Sequence, residues 1–257
     1  MIDSHIHTEF SLDSEMKLQK GIEYAEKIGI GMTLTEHLDL KFPNGTDFTF
    51  DIDKYFKDYE KYKSNNFMLG IEIGMQKISL AENKEIAKKY PFDYIIGSIH
   101  AANGEDTFSP KTYEGKSKIE TFEAYFTSMV DNVNQYDFID SIGHIDYISR
   151  YATYYDNEIH YHEFKEYIDE VLKAIVNNEK VIEINTRRLN NVVAYNNLID
   201  IYSAYKQIGG KYVTIGSDAH HAEDIGNNFM LASRICQICK LKPVYFKNRK
   251  MEYMYND

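Results

Sequence analysis

The chain is short of the residues that cross-link, interrupt or embed a protein. It has two cysteines in 257 residues, Cys236 and Cys239, and their C-x-x-C spacing falls inside the apparently helical stretch "EDIGNNFMLASRICQICKL". A single such pair is read as two reduced thiols on or near a helix rather than a zinc or redox site. Only four prolines occur and the glycines are scattered. No low-complexity linker, charge block or internal repeat divides the chain, so residues 1–257 are expected to form one domain. Tryptophan is absent and tyrosine abundant, at 22, which is compositional bias.

No apolar stretch is long enough to span a bilayer, and no basic segment followed by an apolar run marks a secretory signal. A soluble, cytoplasmic protein is expected. Basic residues are outnumbered 29 to 40, giving a net charge of −11. That argues against a protein that grips long nucleic acid, whose footprint is a basic patch. It leaves anionic small molecules open, because metal ions and a few arginines reverse the sign inside a cleft.

What is present is a regular alternation. Short apolar or β-branched runs, "MIDSH" (1–5), "GMTLTEH" (31–37), "FMLGIEI" (67–73), "YIIGSIH" (94–100), "DSIGH" (140–144), "KVIEIN" (180–185) and "YVTIGSDAH" (212–220), are separated by segments of helical period. In "LQKGIEYAEKI", Leu18, Ile22, Ala25 and Ile28 share one face. In "EFKEYIDEVLKAIV", so do Phe164, Ile168, Val171, Leu172 and Ile175. Residues 41–53 and 101–117 read as long loops, and long loops in compact domains are often functional.

Each run delivers a His, Asp or Glu at its C-terminal end: His5 and His7, His37, Glu72, His100, His144, Glu183, then Asp218 with His220. In a parallel β/α barrel these ends converge on one face, where active sites are built. A lone buried histidine is more often a hydrogen-bonded core residue than a ligand. Here six of nine histidines follow apolar runs, and isolated charges in such places are costly unless paired or bound to metal. A metal site is the expectation. His160 and His162, in "NEIHYHEF", open a polar helical segment and read as solvated. His221 follows His220 and is expected either to line the cleft, as a substrate-binding residue, or to support a ligand from behind.

The pieces "DSHIHTEFSLDS", "TEHLD", "GIEIG", "GSIH", "GHIDYI", "IEIN" and "GSDAHH" together resemble the PHP (polymerase and histidinol phosphatase) superfamily, over Asp3 to His221. The length, "HTEFSLDS" and "IEINT" are most similar to its monofunctional histidinol-phosphate phosphatases. The resemblance implies a distorted (β/α)7 barrel with three divalent metal ions. It places the first on His5, His7, Glu72 and Asp218, and the second on Glu72, His100 and His144. The third falls to Asp13, His37 and His220. "AANGEDTFSP", after "GSIH", departs from the family pattern and bears on the substrate pocket.

Nitrogen and oxygen donors without thiolates suit zinc, iron or manganese in an open site. A hydroxide held between metals by Glu72, Asp218 and His220 is the expected nucleophile, since coordination brings water's pKa from about 15.7 to roughly 7. The implied substrate is a small phosphate ester, most specifically L-histidinol phosphate, with inorganic phosphate as product. Arg150 and Arg187 are placed at the rim as phosphate binders, with Arg188 as the alternative to Arg187. Glu36, Asp39, Asp146 and Ser217 are candidates to support metal-bound histidines. Asp3 and Thr8 are read as support and Glu9 as rim. Loss of the first six residues is expected to abolish activity. The weighed alternatives are a PHP phosphoesterase acting on nucleotides or another small ester, a metal-dependent amidohydrolase, and a non-enzymatic metal-binding protein.

Overall fold

The computed structural model describes residues 1–46 and 48–254; Asp47, in the expected loop 41–53, lies outside them. Seven strands carry the expected runs: β1 (Ile2–Ile6), β2 (Gly31–Leu38), β3 (Phe67–Gly74), β4 (Tyr94–Ser98), β5 (Ser141–Ile142), β6 (Val181–Asn185) and β7 (Tyr212–Gly216). Each is followed by a helix: α1 (Leu18–Ile28), α2 (Ile52–Tyr59), α3 (Leu80–Lys89), α4 (Lys118–Gln135), α5 (Lys165–Asn177), α6 (Val192–Ile208) and α7 (Phe229–Cys239). The strands pair in chain order and all in parallel.

The two outer strands, β1 and β7, meet at their C-terminal ends. Ile6 bridges Ala219 in parallel, the Asp218 N–H donates to the His5 carbonyl (2.8 Å), and the His7 N–H donates to the Ala219 carbonyl (2.9 Å). The result is the distorted (β/α)7 arrangement, joined at the end where the predicted ligands sit. Every residue of β1, β3, β4, β5 and β6 is buried, as a parallel sheet covered on both faces requires.

Helix starts and stops follow local chemistry. Ser117 and Glu120 form a reciprocal capping box at the start of α4. Gly29, at φ 69°, ends α1 in the left-handed conformation. The predicted face of α5 is buried throughout. On α1, Ile28 is instead exposed in the last turn. No helix among the described residues is long and apolar enough to cross a membrane.

Two elements were not anticipated: a short antiparallel pair, Ala101–Ala102 with Glu105–Asp106, inside the expected loop 101–117, and a hairpin near the C-terminal end of the chain. β8 (Lys242–Lys247) and β9 (Lys250–Tyr253) form an antiparallel hairpin, and β8 runs briefly parallel to β7 through Lys242 and Pro243. The hairpin packs against the N-terminal end of the barrel: Phe246 stacks on Tyr94 at 5.5 Å, and Val244 joins Tyr94, Ile96 and Val181. Its turn residues Asn248 and Arg249 take φ of 50° and 62°, the geometry that two-residue hairpins favour.

Candidate metal centre

The strand ends bring all nine predicted ligands together around Glu72. Strand register sets His37 directly opposite it across β2 and β3. Glu72 Oε2 lies 2.9 Å from His37 Nδ1, 3.3 Å from His5 Nε2 and 3.5 Å from His7 Nε2. Its Oε1 lies 3.0 Å from His144 Nε2 and 3.3 Å from His100 Nε2. Asp218 Oδ1 is 3.4 Å from His7 Nε2 and 3.8 Å from His5 Nε2. Asp13, half exposed on the loop after β1, reaches His220 Nε2 at 3.2 Å and His37 Nε2 at 3.4 Å.

Close approach at this end leaves no room for extra side-chain atoms. A Cβ on Gly216 would lie 2.3 Å from Glu183 Oε1 and 2.4 Å from His5 Cβ. Asp218 itself adopts φ 57°, a strained conformation of the kind that collects at functional sites.

Hydrogen-bond partners fix which nitrogen each ring presents. The Ser11 hydroxyl donates to Glu36 Oε2 (2.6 Å), so it accepts from His7 Nδ1 (3.1 Å). His5 Nδ1 donates to Glu183 Oε1 (2.7 Å), His100 Nδ1 to Asp39 Oδ1 (2.9 Å), and His220 Nδ1 to the Asp218 carbonyl (2.9 Å). Four rings thereby donate outward through Nδ1 and turn Nε2 toward the cluster, the orientation that outer partners impose on metal-ligating histidines. His5 Nε2 and His7 Nε2 stand 3.0 Å apart, both aimed at the same space.

The electrostatics also call for cations. An ion taken out of water costs several kcal/mol even after relaxation, and Glu72, His5 and His7 are fully buried. Burial opposes a proton on His5, yet Glu183, Glu72 and Asp218 draw its pKa well above the histidine range. His100, against the same burial, is drawn up to about 9 by Asp39 and Glu72. His7 is pushed the other way, by burial and then by neighbouring His37 and His220. Protons cannot satisfy every ring at once. Glu72 Oε2 and His37 Nδ1, though 2.9 Å apart, and His100 Nε2 are not aligned for a hydrogen bond, and His144 Nδ1 also lacks a partner among the described residues. Overlapping groups such as His7–His37–His220, His5–His7–Glu72 and Glu72–His100–His144 hold their ligand atoms within 4.8 Å of one another. The donor set fits divalent metal ions.

The surrounding residues divide less simply than the sequence implied. Asp39 meets His100 Nδ1 directly, whereas Glu36 reaches His7 only through the Ser11 hydroxyl and also accepts from the Thr8 N–H at 2.9 Å. Asp3 accepts from the backbone N–H of Ser217 (2.9 Å) and Gly226 (2.8 Å). Asp146 differs, for it pairs with Arg188 (2.8 Å) and touches no ligand histidine. Arg188 also binds Glu158 (2.5 Å), and this double ion pair removes it as the alternative phosphate binder. Arg150 is buried rather than at the rim, its NH1 on Asp218 Oδ2 (2.5 Å) and NH2 on Asn185 Oδ1 (2.9 Å). Arg187 is 44% exposed and 3.6 Å from Asp218 Oδ1. His221 is exposed and does not line the cavity over the cluster.

His160 is half-buried, not solvated: its ring lies 3.0 Å from Asp156 and 3.2 Å from Asn197, in a loop before α5. His162 is exposed as expected, and Glu9 is exposed and pairs with Lys17. Cys236 and Cys239 are free and buried, far in sequence from every ligand; burial pushes the Cys236 thiol up to about 12. Sequence reasoning placed Glu183 at a strand end without assigning it a role, and missed Ser11. The signal for Ser11 was its position four residues after His7.

A parallel (β/α) arrangement with buried nitrogen and oxygen donors gathered at its strand ends makes this an α/β protein with a candidate metal centre. More specifically, the chain belongs to the PHP domain family, which matches residues 3–187. It is 51% identical to the "Probable histidinol-phosphatase" of Clostridium acetobutylicum, over 98% of this chain and 99% of that one. It is 31% identical to the histidinol-phosphatase of Lactococcus lactis subsp. lactis, over 86% and 85%. The crystal structure of the Lactococcus histidinol phosphate phosphatase, complexed with zinc, L-histidinol and phosphate, superposes with a TM-score of 0.92 at 28% identity, covering 98% of both chains.

Proposed function

We propose that this protein is a metal-dependent phosphomonoesterase that hydrolyses L-histidinol phosphate to L-histidinol and inorganic phosphate. The observation that carries the reading is the full-length likeness to a structure that holds zinc, L-histidinol and phosphate. The nine converging ligands add to it. Three divalent ions, of zinc, iron or manganese, are assigned to His5, His7, Glu72 and Asp218; to Glu72, His100 and His144; and to Asp13, His37 and His220. Glu72 is the shared carboxylate. The whole chain acts as one catalytic domain.

Bound there, the ions supply acidified water and neutralise charge on the phosphoryl group, which lowers the barrier of a very slow spontaneous reaction. The chain's own residues do the rest. Glu183, Ser11 and Asp39 hold His5, His7 and His100 in the ligating tautomer. Arg150 clamps the strained Asp218. Arg187, beside Asp218 and half free, is the guanidinium available to a phosphoryl oxygen.

The test is a phosphate-release screen over L-histidinol phosphate, nucleotides and sugar phosphates, with metal content measured on the same preparation. Histidinol phosphate should be clearly the best substrate, and metal should co-purify. A nucleotide or sugar phosphate as best substrate would overturn the assignment.

A further inference from the structure

Glu72 has a neighbour that is neither a predicted ligand nor a partner of one of the histidines. The hydroxyl of Ser98, fully buried at the end of β4, donates to Glu72 Oε1 at 2.6 Å. Glu72 Oε1 is its one hydrogen-bond partner among the described residues. A bond of this length from a hydroxyl to a carboxylate is charge-assisted and about twice as strong as a neutral one. The surrounding strands leave that hydroxyl little freedom. A Cβ on Gly143 would lie 2.3 Å from Ser98 Oγ, so the glycine before His144 is what makes room for it. The Met75 N–H donates to the Ser98 carbonyl (2.8 Å), and the Gly143 N–H donates to the Gly97 carbonyl (2.9 Å). The chain leaving β3 and the chain leaving β5 are both tied to the end of β4.

A carboxylate left to itself turns easily, because the last glutamate torsion is broad. Glu72 has no such freedom to spare. Its Oε1 faces His144 and His100, while its Oε2 faces His37, His5 and His7. Each carboxylate oxygen has about two lone-pair sites. The Ser98 hydrogen occupies one on Oε1 and leaves the other for a single cation, whereas Oε2 carries no hydrogen bond. Tilting the carboxylate plane would move both oxygens off their rings and break the bond to Ser98.

We infer that Ser98 is a positioning residue for the shared carboxylate. Its hydroxyl sets the plane of Glu72, so that one oxygen serves the ion at His100 and His144 and the other the ion at His5, His7 and Asp218. The inference deepens the proposed metal assignment and rests on it. The two ions depend on Ser98 unequally. When Glu72 tilts, one keeps His5, His7 and Asp218, but the other is left with His100 and His144 alone. The ion at His100 and His144 is the one that Ser98 secures.

The test compares zinc-loaded wild type, Ser98→Ala and Ser141→Ala, the last as a matched control. The Ser141 hydroxyl is equally buried on neighbouring β5, but it meets Tyr94 (2.6 Å) and Thr214 (3.4 Å), neither of them a predicted ligand. Zinc content is followed against graded chelator, with Tm and phosphate release from L-histidinol phosphate measured on the same samples. In Ser98→Ala one zinc ion per chain should be held about ten- to a hundredfold more weakly than in wild type, while the others hold. Its kcat should fall in step with that ion, and KM at saturating zinc should stay within about twofold of wild type. Ser141→Ala should lower Tm alone. Zinc held as in wild type by Ser98→Ala, all its ions weakening together, or equal metal loss in both variants would overturn the inference alone. A wild-type protein that binds no zinc, iron or manganese would overturn the metal assignment and this inference with it.

Discussion

At the N-terminal end of the barrel, Asp93 is fully buried and Asp140 nearly so, as are Glu72 and Asp218 at the other end. Their partners differ. Asp93 is met by Lys63 (2.9 Å), the Leu69 N–H (2.9 Å) and the Asn248 N–H (3.0 Å). Asp140 is met by Arg249 Nε (2.6 Å) and the Ile95 N–H (2.8 Å). Permanent cations and backbone donors balance these carboxylates within the chain. Glu72 faces five histidine rings, which carry charge only by taking up protons. The difference is that one end is electrostatically complete and the other is complete only with added cations. Stability therefore belongs to the sealed end and chemistry to the unsealed one.

The comparison breaks most directly at Glu72. Glu72→Ala should strip metal and lower phosphate release by about a thousandfold or more. A chelator should lower the Tm of wild type, because ligand binding stabilises the folded state, but not that of the variant. Full metal content and full activity would remove Glu72 as the shared ligand. Next comes Glu183→Gln, which keeps an acceptor for His5 Nδ1 but loses its charge. A loss of about ten- to a hundredfold in metal affinity or activity is expected, together with a lower apo-protein Tm, because a Gln amide cannot accept from both His5 Nδ1 and the His144 N–H, which the two carboxylate oxygens meet at 2.7 Å.

At the sealed end, Arg249→Ala should do the opposite. Removing the partner of nearly buried Asp140 should cost about 1–3 kcal/mol of stability, read in a denaturant titration, while kcat/KM stays within about twofold of wild type. A large catalytic loss there would mean that the two ends are coupled. The smallest effect is expected from Cys236→Ala with Cys239→Ala, where metal content and activity should be unchanged. Loss of metal would return the C-x-x-C pair to the candidate ligands.

The seven strands were legible because each is a short apolar run ending in a ligand residue, and burial on both faces writes itself as a continuous run. The hairpin at 242–253 was not, since Lys242, Pro243, Lys247 and Lys250 break the apolar pattern and its strands are half exposed. Eight candidate ligands were legible from residue type at the strand ends, and Asp13 only through the family resemblance. The arginines were not: "SR" and "TRR" look alike on paper, and only the fold buries Arg150 against Asp218, locks Arg188 between Asp146 and Glu158, and leaves Arg187 half free.

The sequence by itself determined the alternation of strand and helix and the family, and it marked nine candidate ligands, because hydrophobic period and ligand chemistry are local properties. Only the tertiary structure decided how closely the candidate ligands surround Glu72 and which ring nitrogen their outer partners leave facing it. Those depend on distances of a few ångströms between residues up to more than two hundred positions apart, such as Asp13 and His220. Curling the strands into a barrel is what makes them neighbours.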